Sequence, residues 1–290
     1  MERKSQIYRA ITFNDKARIA AIDTTDIVNK LIKTHDLSPL GAAVLGRAIT
    51  VGAYISSNLK KETHKFNLII NGGGPAGQVC VAGNGNLEIK GFIENPKVTL
   101  PYKNNKLDVG GAVGKDGYIN VIQDLGLKEP YVGNTKLVSG EIAIDYATYL
   151  LQSYGVRNAV ILGVLVDKNG CKASGGLIVE LMPDADENHI VVLEDIVSLM
   201  SNFSDLLSKK SIEEIMDFYF GHFETTVLSK DEIKLKCDCD KKIPDILKGL
   251  GKKQIQELLD EGKEIEIKCD YCSKIYKFNE EQVNKMFYEC

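Results

Sequence analysis

Short runs in which hydrophobic and polar residues alternate occupy much of the first 180 residues, with turn-forming residues between them. Alternation predicts strands, because successive side chains of a strand point to opposite faces of a sheet. The predicted strands are two runs between Ile7 and Ile22 joined by a polar turn, then His64–Ile70, Gln78–Ala82, Leu87–Ile93, Tyr118–Gln123, Ala159–Val166 and Leu177–Leu181. Glycine, asparagine and proline between these runs favour turns and a sheet rich in antiparallel pairs.

Helical spacing of apolar residues predicts three helices among these strands. They run from Thr24 or Thr25 to Leu31, from Ser38 to about Leu59, and over Gly140–Tyr154. Ser38 and Pro39 are typical of a helix start, because the serine caps free N–H groups and proline fits the first turn. We therefore predict an α+β fold in which residues 1–180 form an N-terminal domain.

Apolar residues recur at roughly helical spacing over Glu187–Phe223, with acidic residues between them. This pattern is typical of short amphipathic helices that lie on another surface. We assign residues 181–229 to an amphipathic helical linker and residues 230–290 to a small separate domain.

Residues 230–290 contain few large apolar side chains, too few to form a strong core without other support. The predicted elements are a strand at Glu232–Lys236, short helices near Ile246 and Ile255, a strand at Glu264–Lys268 and a final helix from Asn279. We expect metal binding to contribute much of the folding free energy of this domain.

Four of the seven cysteines lie in this segment as two close pairs, CDC and CDYC, separated by 29 residues. They are Cys237, Cys239, Cys269 and Cys272. Zinc accepts four cysteine sulfurs in tetrahedral geometry, and close pairs from two turns commonly supply them. The pattern predicts one zinc ion bound by these four thiolates, a closed site without room for a catalytic water.

The close spacing within each pair leaves two interpretations open. The site is either a fixed structural staple or a metal-capped redox sensor, since neighbouring thiolates are placed for oxidation to each other. Zinc in peptide sites contributes roughly 10–16 kcal/mol of apparent binding free energy. Oxidation within each pair would replace the zinc link between the two pairs by a disulfide inside each pair. Such disulfides close small rings, which restrict the unfolded chain little.

Composition describes an ordinary globular chain, with 44% hydrophobic and 26% charged residues. The most apolar run, Ala42–Ile55, is interrupted by Arg47 and is too short for a membrane span. The N-terminus lacks the apolar segment of a signal peptide, so we expect a cytoplasmic protein whose thiols stay reduced. A net charge of −4 gives no overall attraction to nucleic acid.

Other features favour structural roles. Gly72, Gly74 and Gly77 match the GxGxxG pattern of dinucleotide sites, but a strand follows them where pyrophosphate binding requires a helix.

Cys80 and Cys171 are expected to be buried. No catalytic arrangement is evident, so we do not expect an enzyme, and no cofactor other than zinc is predicted.

The terminal Cys290 is expected to be exposed and not to be a fifth metal ligand. The main alternative function is a zinc-ribbon protein that binds nucleic acid. This alternative requires a basic face, whereas lysines and acidic residues are nearly equal in number over residues 230–290.

Several longer stretches resemble one family. Besides the two cysteine pairs, these are GGGPAG, EPYVG, LVSGEIAIDYATYLLQS, ASGGLIVELMP and LGKKQIQELLDEGKEIEIKCDYCSKIYKF, in the order expected across nearly the whole chain. Together they are similar to the heat-shock protein 33 family of redox-regulated chaperonins. The resemblance implies an ATP-independent holdase that is inactive when reduced and zinc-bound, and that binds unfolding client proteins as a homodimer when oxidised.

We therefore expect disulfides Cys237–Cys239 and Cys269–Cys272 to form on activation, with release of zinc and exposure of the linker. The chain departs from the family at two places. Tyr154, Gly155 and Val156 stand where Glu and Gln are common, and Asp240 and Lys241 follow the CxC pair where Ser and Arg are frequent. Negative charge beside that pair is expected to slow its deprotonation and its attack on anionic oxidants.

Overall fold

The computed structural model describes residues 3–251, 255, 257 and 265–288, and the chain divides into two compact units, Met1–Leu235 and Lys236–Cys290. The first unit contains β1 (Gln6–Thr12), β2 (Ala17–Asp23), α1 (Thr25–His35), α2 (Pro39–Ser57), β3 (Lys65–Gly73), β4 (Val79–Asn84), β5 (Glu88–Ile93), α3 (Val109–Val113), β6 (Gly114–Asp124), β7 (Tyr131–Lys136), α4 (Ala143–Tyr154), β8 (Asn158–Asp167), β9 (Gly170–Leu181), α5 (Glu187–Leu199), α6 (Phe203–Lys209), α7 (Ile212–Phe220), a 3₁₀ turn (Gly221–Phe223), β10 (Thr226–Glu232) and β11 (Lys234–Leu235). The second contains α8 (Cys239–Leu250), β12 (Ile265–Lys268), β13 (Ile275–Phe278) and α9 (Glu280–Tyr288).

Two sheets form the first unit. One has the strand order β10-β1-β2-β9-β8 and is antiparallel throughout. The other has the order β11-β5-β4-β3-β6-β7, in which the pairing of β11 with β5 alone is parallel. The predicted α+β class and the antiparallel-rich sheet are confirmed.

Helix α2 lies between the two sheets and packs against β4 and β5 of one and β8 and β9 of the other. As the sequence predicts, Ser38 caps this helix by accepting a hydrogen bond from the Gly41 backbone N–H at 3.0 Å, and Pro39 is its first residue. The helix is long and apolar enough to cross a membrane, yet 89% of its most apolar window is buried inside the fold. It is therefore the central core helix of this unit.

Helices α5, α6 and α7 cover the other face of the five-stranded sheet. The buried side chains of these helices, together with that of Met200 directly after α5, pack on apolar residues of β1, β2 and β9; they are Leu193, Ile196, Met200, Phe203, Leu207, Ile212, Ile215, Met216 and Phe220. This second core, which we call the outer core, confirms the predicted amphipathic helices over Glu187–Phe223. Their apolar stripes are hidden in the structure.

At the glycine-rich loop that follows β3, the backbone passes very close to the backbone of residues 112–114. A Cβ atom on Gly72 would lie 2.3 Å from the Gly114 carbonyl oxygen, and one on Gly74 would lie 2.4 Å from that of Ala112. The chain then continues as β4, which pairs antiparallel with β3. The prediction of a tight connection instead of a dinucleotide site is confirmed, because another segment of backbone fills the space beside the glycines.

The chain after α7 differs from the sequence prediction. The strand expected at Glu232–Lys236 in the small domain is instead two strands of the larger unit, since β10 pairs with β1 and β11 pairs with β5. Strand β10 has the sequence TVLSKDE and lies at a sheet edge, where polar side chains remain exposed and no alternation marks a strand. The predicted division into an N-terminal domain of residues 1–180, a linker of residues 181–229 and a small domain of residues 230–290 stays a prediction.

In the second unit, the helix expected near Ile246 is part of α8, and the final helix follows Asn279 as predicted. The helix expected near Ile255, the predicted strand start at Glu264 and the terminal Cys290 lie wholly or largely outside the described residues.

Candidate metal centre

Two local structures carry the four paired cysteines. Cys237 precedes α8 and Cys239 is its first residue, so the CxC pair lies at a helix N-terminus. Cys269 and Cys272 lie in the hairpin turn between β12 and β13. That turn is closed by backbone hydrogen bonds from the Ser273 N–H to the Cys269 carbonyl, 2.8 Å, and from the Cys269 N–H to the Lys274 carbonyl, 2.9 Å.

The four sulfur atoms lie together. All Sγ atoms are within 4.8 Å of one another, and this is the one group of metal-ligating side chains found among the residues that the structure describes. The short sulfur distances join different pairs, with Cys237 to Cys269 at 3.7 Å and Cys239 to Cys272 at 3.4 Å. The cluster thus links the helix start to the hairpin.

This geometry fits a tetrahedral metal ion. Zinc–sulfur bonds of about 2.3 Å place the sulfurs of a tetrahedral site about 3.8 Å apart. The two short distances are close to this value, and a ligand set of four soft sulfur donors is one that zinc accepts. The four cysteines are therefore placed to bind a metal ion.

The sulfurs are also part of a small hydrophobic core. Buried Cys239 and Cys269 pack with Ile243, Leu247, Ile255, Ile265, Phe278 and Val283. So few large side chains give little stability by themselves, as the sequence indicates. A metal ion at the centre of this core would hold together the elements that form it.

The two sulfurs of the closest pair differ in acidity. Burial raises the pKa of Cys272 to about 11. Burial also acts to raise the pKa of Cys239, but hydrogen bonds from Tyr276 and from neighbouring thiols outweigh it and lower this pKa to about 7. Without a metal, the pair therefore favours one thiolate, on Cys239, that accepts a hydrogen bond from the Cys272 thiol.

Three polar side chains lie beside Cys239, and the sequence predicts a role in the site only for the charge of Asp240. The Tyr276 hydroxyl lies 3.0 Å from the Cys239 Sγ and 2.8 Å from Asp240 Oδ1. Lys274 forms an ion pair with the same oxygen of Asp240. A sequence signal did exist, because Lys274 and Tyr276 are two residues apart where the chain leaves the CDYC turn and enters β13, and residues at this spacing lie on one face of an extended chain.

The other described cysteines lie in the first unit. Cys80 on β4 and Cys171 on β9 are buried, as predicted. Burial raises the pKa of the Cys171 thiol to about 12, which makes it unreactive at neutral pH.

A family model described as "Hsp33 protein" matches residues 5–279. The chain belongs to this family. The Hsp33 assignment agrees with the resemblance inferred from the sequence motifs, and it covers both compact units.

Relatives of similar length support the Hsp33 assignment. The chain is 45% identical to the 33 kDa chaperonin of Clostridium botulinum strain Eklund 17B over 98% of this chain and 97% of the relative, and 43% identical to that of Clostridium perfringens strain SM101 over 98% and 92%. The crystal structure of the 33 kDa chaperonin of Thermotoga maritima is 33% identical, covers 98% of both chains and superposes with a TM-score of 0.90. These relatives are named as chaperonins, so the chain is a member of a chaperone family.

Proposed function

We propose that this protein is a redox-switched, ATP-independent holdase of the cytoplasm that is inactive when reduced and zinc-bound. The proposal rests on its family and on one observation above others, the four sulfurs gathered within 4.8 Å from two separate structural elements. In this role the protein binds unfolding clients and does not catalyse a reaction.

Bound zinc would keep all four sulfurs as thiolates and tie the start of α8 to the β12–β13 hairpin. The oxidation that ends this state involves the cysteines and a peroxide. One thiolate attacks the O–O bond, which gives a sulfenic acid and hydroxide, and the neighbouring thiolate then displaces hydroxide to form the S–S bond. Two electrons pass from two sulfurs to the peroxide, and the zinc charge does not change.

We assign the disulfides to Cys237–Cys239 and Cys269–Cys272, because each pair is close in sequence. These bonds close small local rings and remove the link between helix and hairpin. The remaining core of this unit is small, so it is expected to unfold once the metal ligands are lost.

Apolar surface for clients is present in the first unit but covered. Helices α5–α7 and the sheet beneath them bury two complementary apolar faces in the outer core. Undocking of the helices would expose both faces, and contiguous apolar surface of this kind binds unfolded chains or a second copy of the protein. We assign the active form as a homodimer and expect no binding to nucleic acid or membranes.

The test compares reduced and peroxide-treated protein in a light-scattering assay with a thermally unfolding client. Oxidised protein is expected to suppress scattering while reduced protein does not, and an indicator dye is expected to record one zinc ion released per chain. Cys239→Ser should prevent stable zinc binding, whereas Cys171→Ser, which changes a cysteine outside the cluster, should leave the metal bound. Equal protection by oxidised and reduced protein would contradict the switch, and a salt-dependent shift of labelled RNA or DNA would favour the nucleic-acid alternative.

A further inference from the structure

The hydroxyl of Tyr276 lies between two acceptors that compete for it. Its oxygen is 3.0 Å from the Cys239 sulfur and 2.8 Å from Asp240 Oδ1. A phenol carries one hydrogen, so it can donate to only one of these atoms at a time. When Cys239 is a thiolate, both acceptors are anionic, and the hydrogen stabilises whichever atom receives it.

Lys274 affects this competition. Its ammonium pairs with the same Asp240 oxygen that faces the tyrosine hydroxyl, and it also lies 4.9 Å from the centre of the Tyr276 ring. An oxygen that already accepts from an ammonium attracts a second donor less strongly. The lysine thereby leaves the tyrosine hydrogen available to the sulfur.

We propose that Tyr276 is a positioning residue that donates its hydrogen to the Cys239 thiolate and slows oxidation of that sulfur, with Asp240 as its competitor. The proposal rests on the proposed function, since it concerns how fast the switch responds. Tyr276 is half-buried on β13, on the strand that leaves the CDYC turn, so its hydroxyl is held beside the sulfur by the hairpin itself.

The physical reason is a difference between the ground state and the transition state. A hydrogen bond to sulfur is strongest while sulfur carries the full negative charge. As the thiolate attacks peroxide, this charge moves to the departing oxygen, so the hydrogen bond weakens and the barrier rises. Loss of a hydrogen bond to a charged group typically changes an equilibrium or rate by about tenfold or more.

The experiment uses the full-length, reduced protein loaded with zinc and treated with dilute hydrogen peroxide. The oxidation rate of Cys239 is measured by trapping free thiols and mass spectrometry, and zinc release is followed with an indicator dye. Tyr276→Phe is expected to accelerate oxidation of Cys239 about tenfold, because the variant lacks only the donor. Asp240→Ala is expected to slow oxidation of Cys239, because the Tyr276 hydroxyl hydrogen then has only the sulfur as its acceptor.

Each variant has a matched control. Tyr102→Phe removes the same hydroxyl from an exposed tyrosine of the first unit, and Asp245→Ala removes an exposed carboxylate from the same helix α8. Both controls should retain the wild-type oxidation rate. A general effect of lost hydroxyls or lost charge is thereby separated from the contact with sulfur.

A spectrum distinguishes donation to sulfur from simple support of the fold. In protein loaded with cobalt in place of zinc, the sulfur-to-metal charge-transfer band should move to lower energy in Tyr276→Phe and in the opposite direction in Asp240→Ala. Unchanged bands together with unchanged oxidation rates would overturn the proposal. If Tyr276→Phe fails to retain metal, Asp240→Ala provides the test. Oxidation of Cys239 in Asp240→Ala that is as fast as in the wild type, or faster, contradicts competition between Asp240 and the sulfur for the Tyr276 hydrogen.

The wild-type protein distinguishes failure of the proposed redox switch from failure of the role of Tyr276. A wild-type protein that binds no metal, or that keeps its metal under peroxide, overturns the switch and this proposal with it. A wild-type protein that binds and releases zinc normally, while both variants behave like it, overturns the role of Tyr276 alone.

Discussion

Two phenylalanines of α7 provide a direct test of helix undocking as the activating step. Phe220 is 1% exposed in the outer core, and its ring centroid lies 6.3 Å from that of Phe13 in the β1–β2 turn. Phe218, two residues earlier, points to the opposite side of the same helix and is 65% exposed. Replacing either by alanine removes the same atoms from the same helix, but only Phe220→Ala weakens the contact with the sheet.

The two substitutions are expected to differ strongly in how much free energy of helix docking they remove. Phenylalanine-to-alanine changes in a packed core cost about 3–5 kcal/mol, and an exposed position usually costs within about 0.5 kcal/mol. The ring of Phe218 contacts Tyr219 and lies 6.0 Å from the Lys210 ammonium, which adds little at an exposed site. Since about 1.4 kcal/mol corresponds to a factor of ten, Phe220→Ala should raise the ratio of undocked to docked helix at least a hundredfold.

The assay is client aggregation with reduced, zinc-loaded protein. Phe220→Ala is expected to suppress light scattering without an oxidant, because undocking then requires less free energy than the wild type needs. Phe218→Ala should remain inactive until it is oxidised. Limited proteolysis within Glu187–Phe223 should show faster cleavage in Phe220→Ala alone.

One outcome with Phe220→Ala would contradict helix undocking as the source of the client-binding surface. If reduced Phe220→Ala retains its zinc, is cleaved rapidly within these helices and still gives no protection, exposed outer-core surface is not what clients bind. Activity would then have to arise from surface that oxidation exposes elsewhere. A reduced variant that has lost its zinc must be compared with metal-reloaded protein before the activity is interpreted.

Three further predictions concern the first unit. Asp145→Ala should destabilise the native state by about 3 kcal/mol or more in denaturant titrations, because it leaves without their acceptor the backbone N–H groups of Val138, Ser139 and Ile142, which now donate to the buried Asp145 side chain at 2.8–3.0 Å, and each unsatisfied buried donor costs about 1–3 kcal/mol. Gly114→Ala should cost several times the roughly 1 kcal/mol expected of Gly155→Ala. Both glycines have positive φ, but only at Gly114 would the new Cβ meet backbone, 2.3 Å from the Gly72 carbonyl oxygen. Cys171, with its pKa raised to about 12 by burial, should stay a protonated thiol at pH 8 and resist iodoacetamide until the chain is unfolded.

Much of the fold follows from local sequence signals. The cap at Ser38, the proline after it and the apolar composition of α2 predict a buried helix, and the structure places it between the sheets. The helices over Glu187–Phe223 were predictable because their apolar stripes recur at helical spacing. The four cysteines were predictable as a group because their spacing suits a metal site.

The elements that the sequence did not predict lack such signals. Strands β7 and β10 are edge strands with many exposed residues, so their pairing with β6 and β1 depends on partners distant in sequence. Helix α3 is a single short turn beside the glycine-rich crossing. The approach of Tyr276 to Cys239 likewise depends on how the hairpin packs against α8, which residue spacing does not specify.

The position of β10 explains how helices α5–α7 can leave the five-stranded sheet while the sheet itself stays folded. Strand β9 precedes α5 and β10 follows the 3₁₀ turn after α7, and both strands belong to the five-stranded sheet. The segment between them is thus a loop with both ends anchored, and its closure costs entropy that grows only slowly with length. Undocking breaks side-chain packing in the outer core, together with local contacts such as the Phe13 N–H donating to the Phe223 carbonyl, and leaves the ladders of both sheets formed. An apolar sheet face can therefore be exposed on a domain whose central core around α2 remains folded, which is the physical requirement for a chaperone that must not itself aggregate.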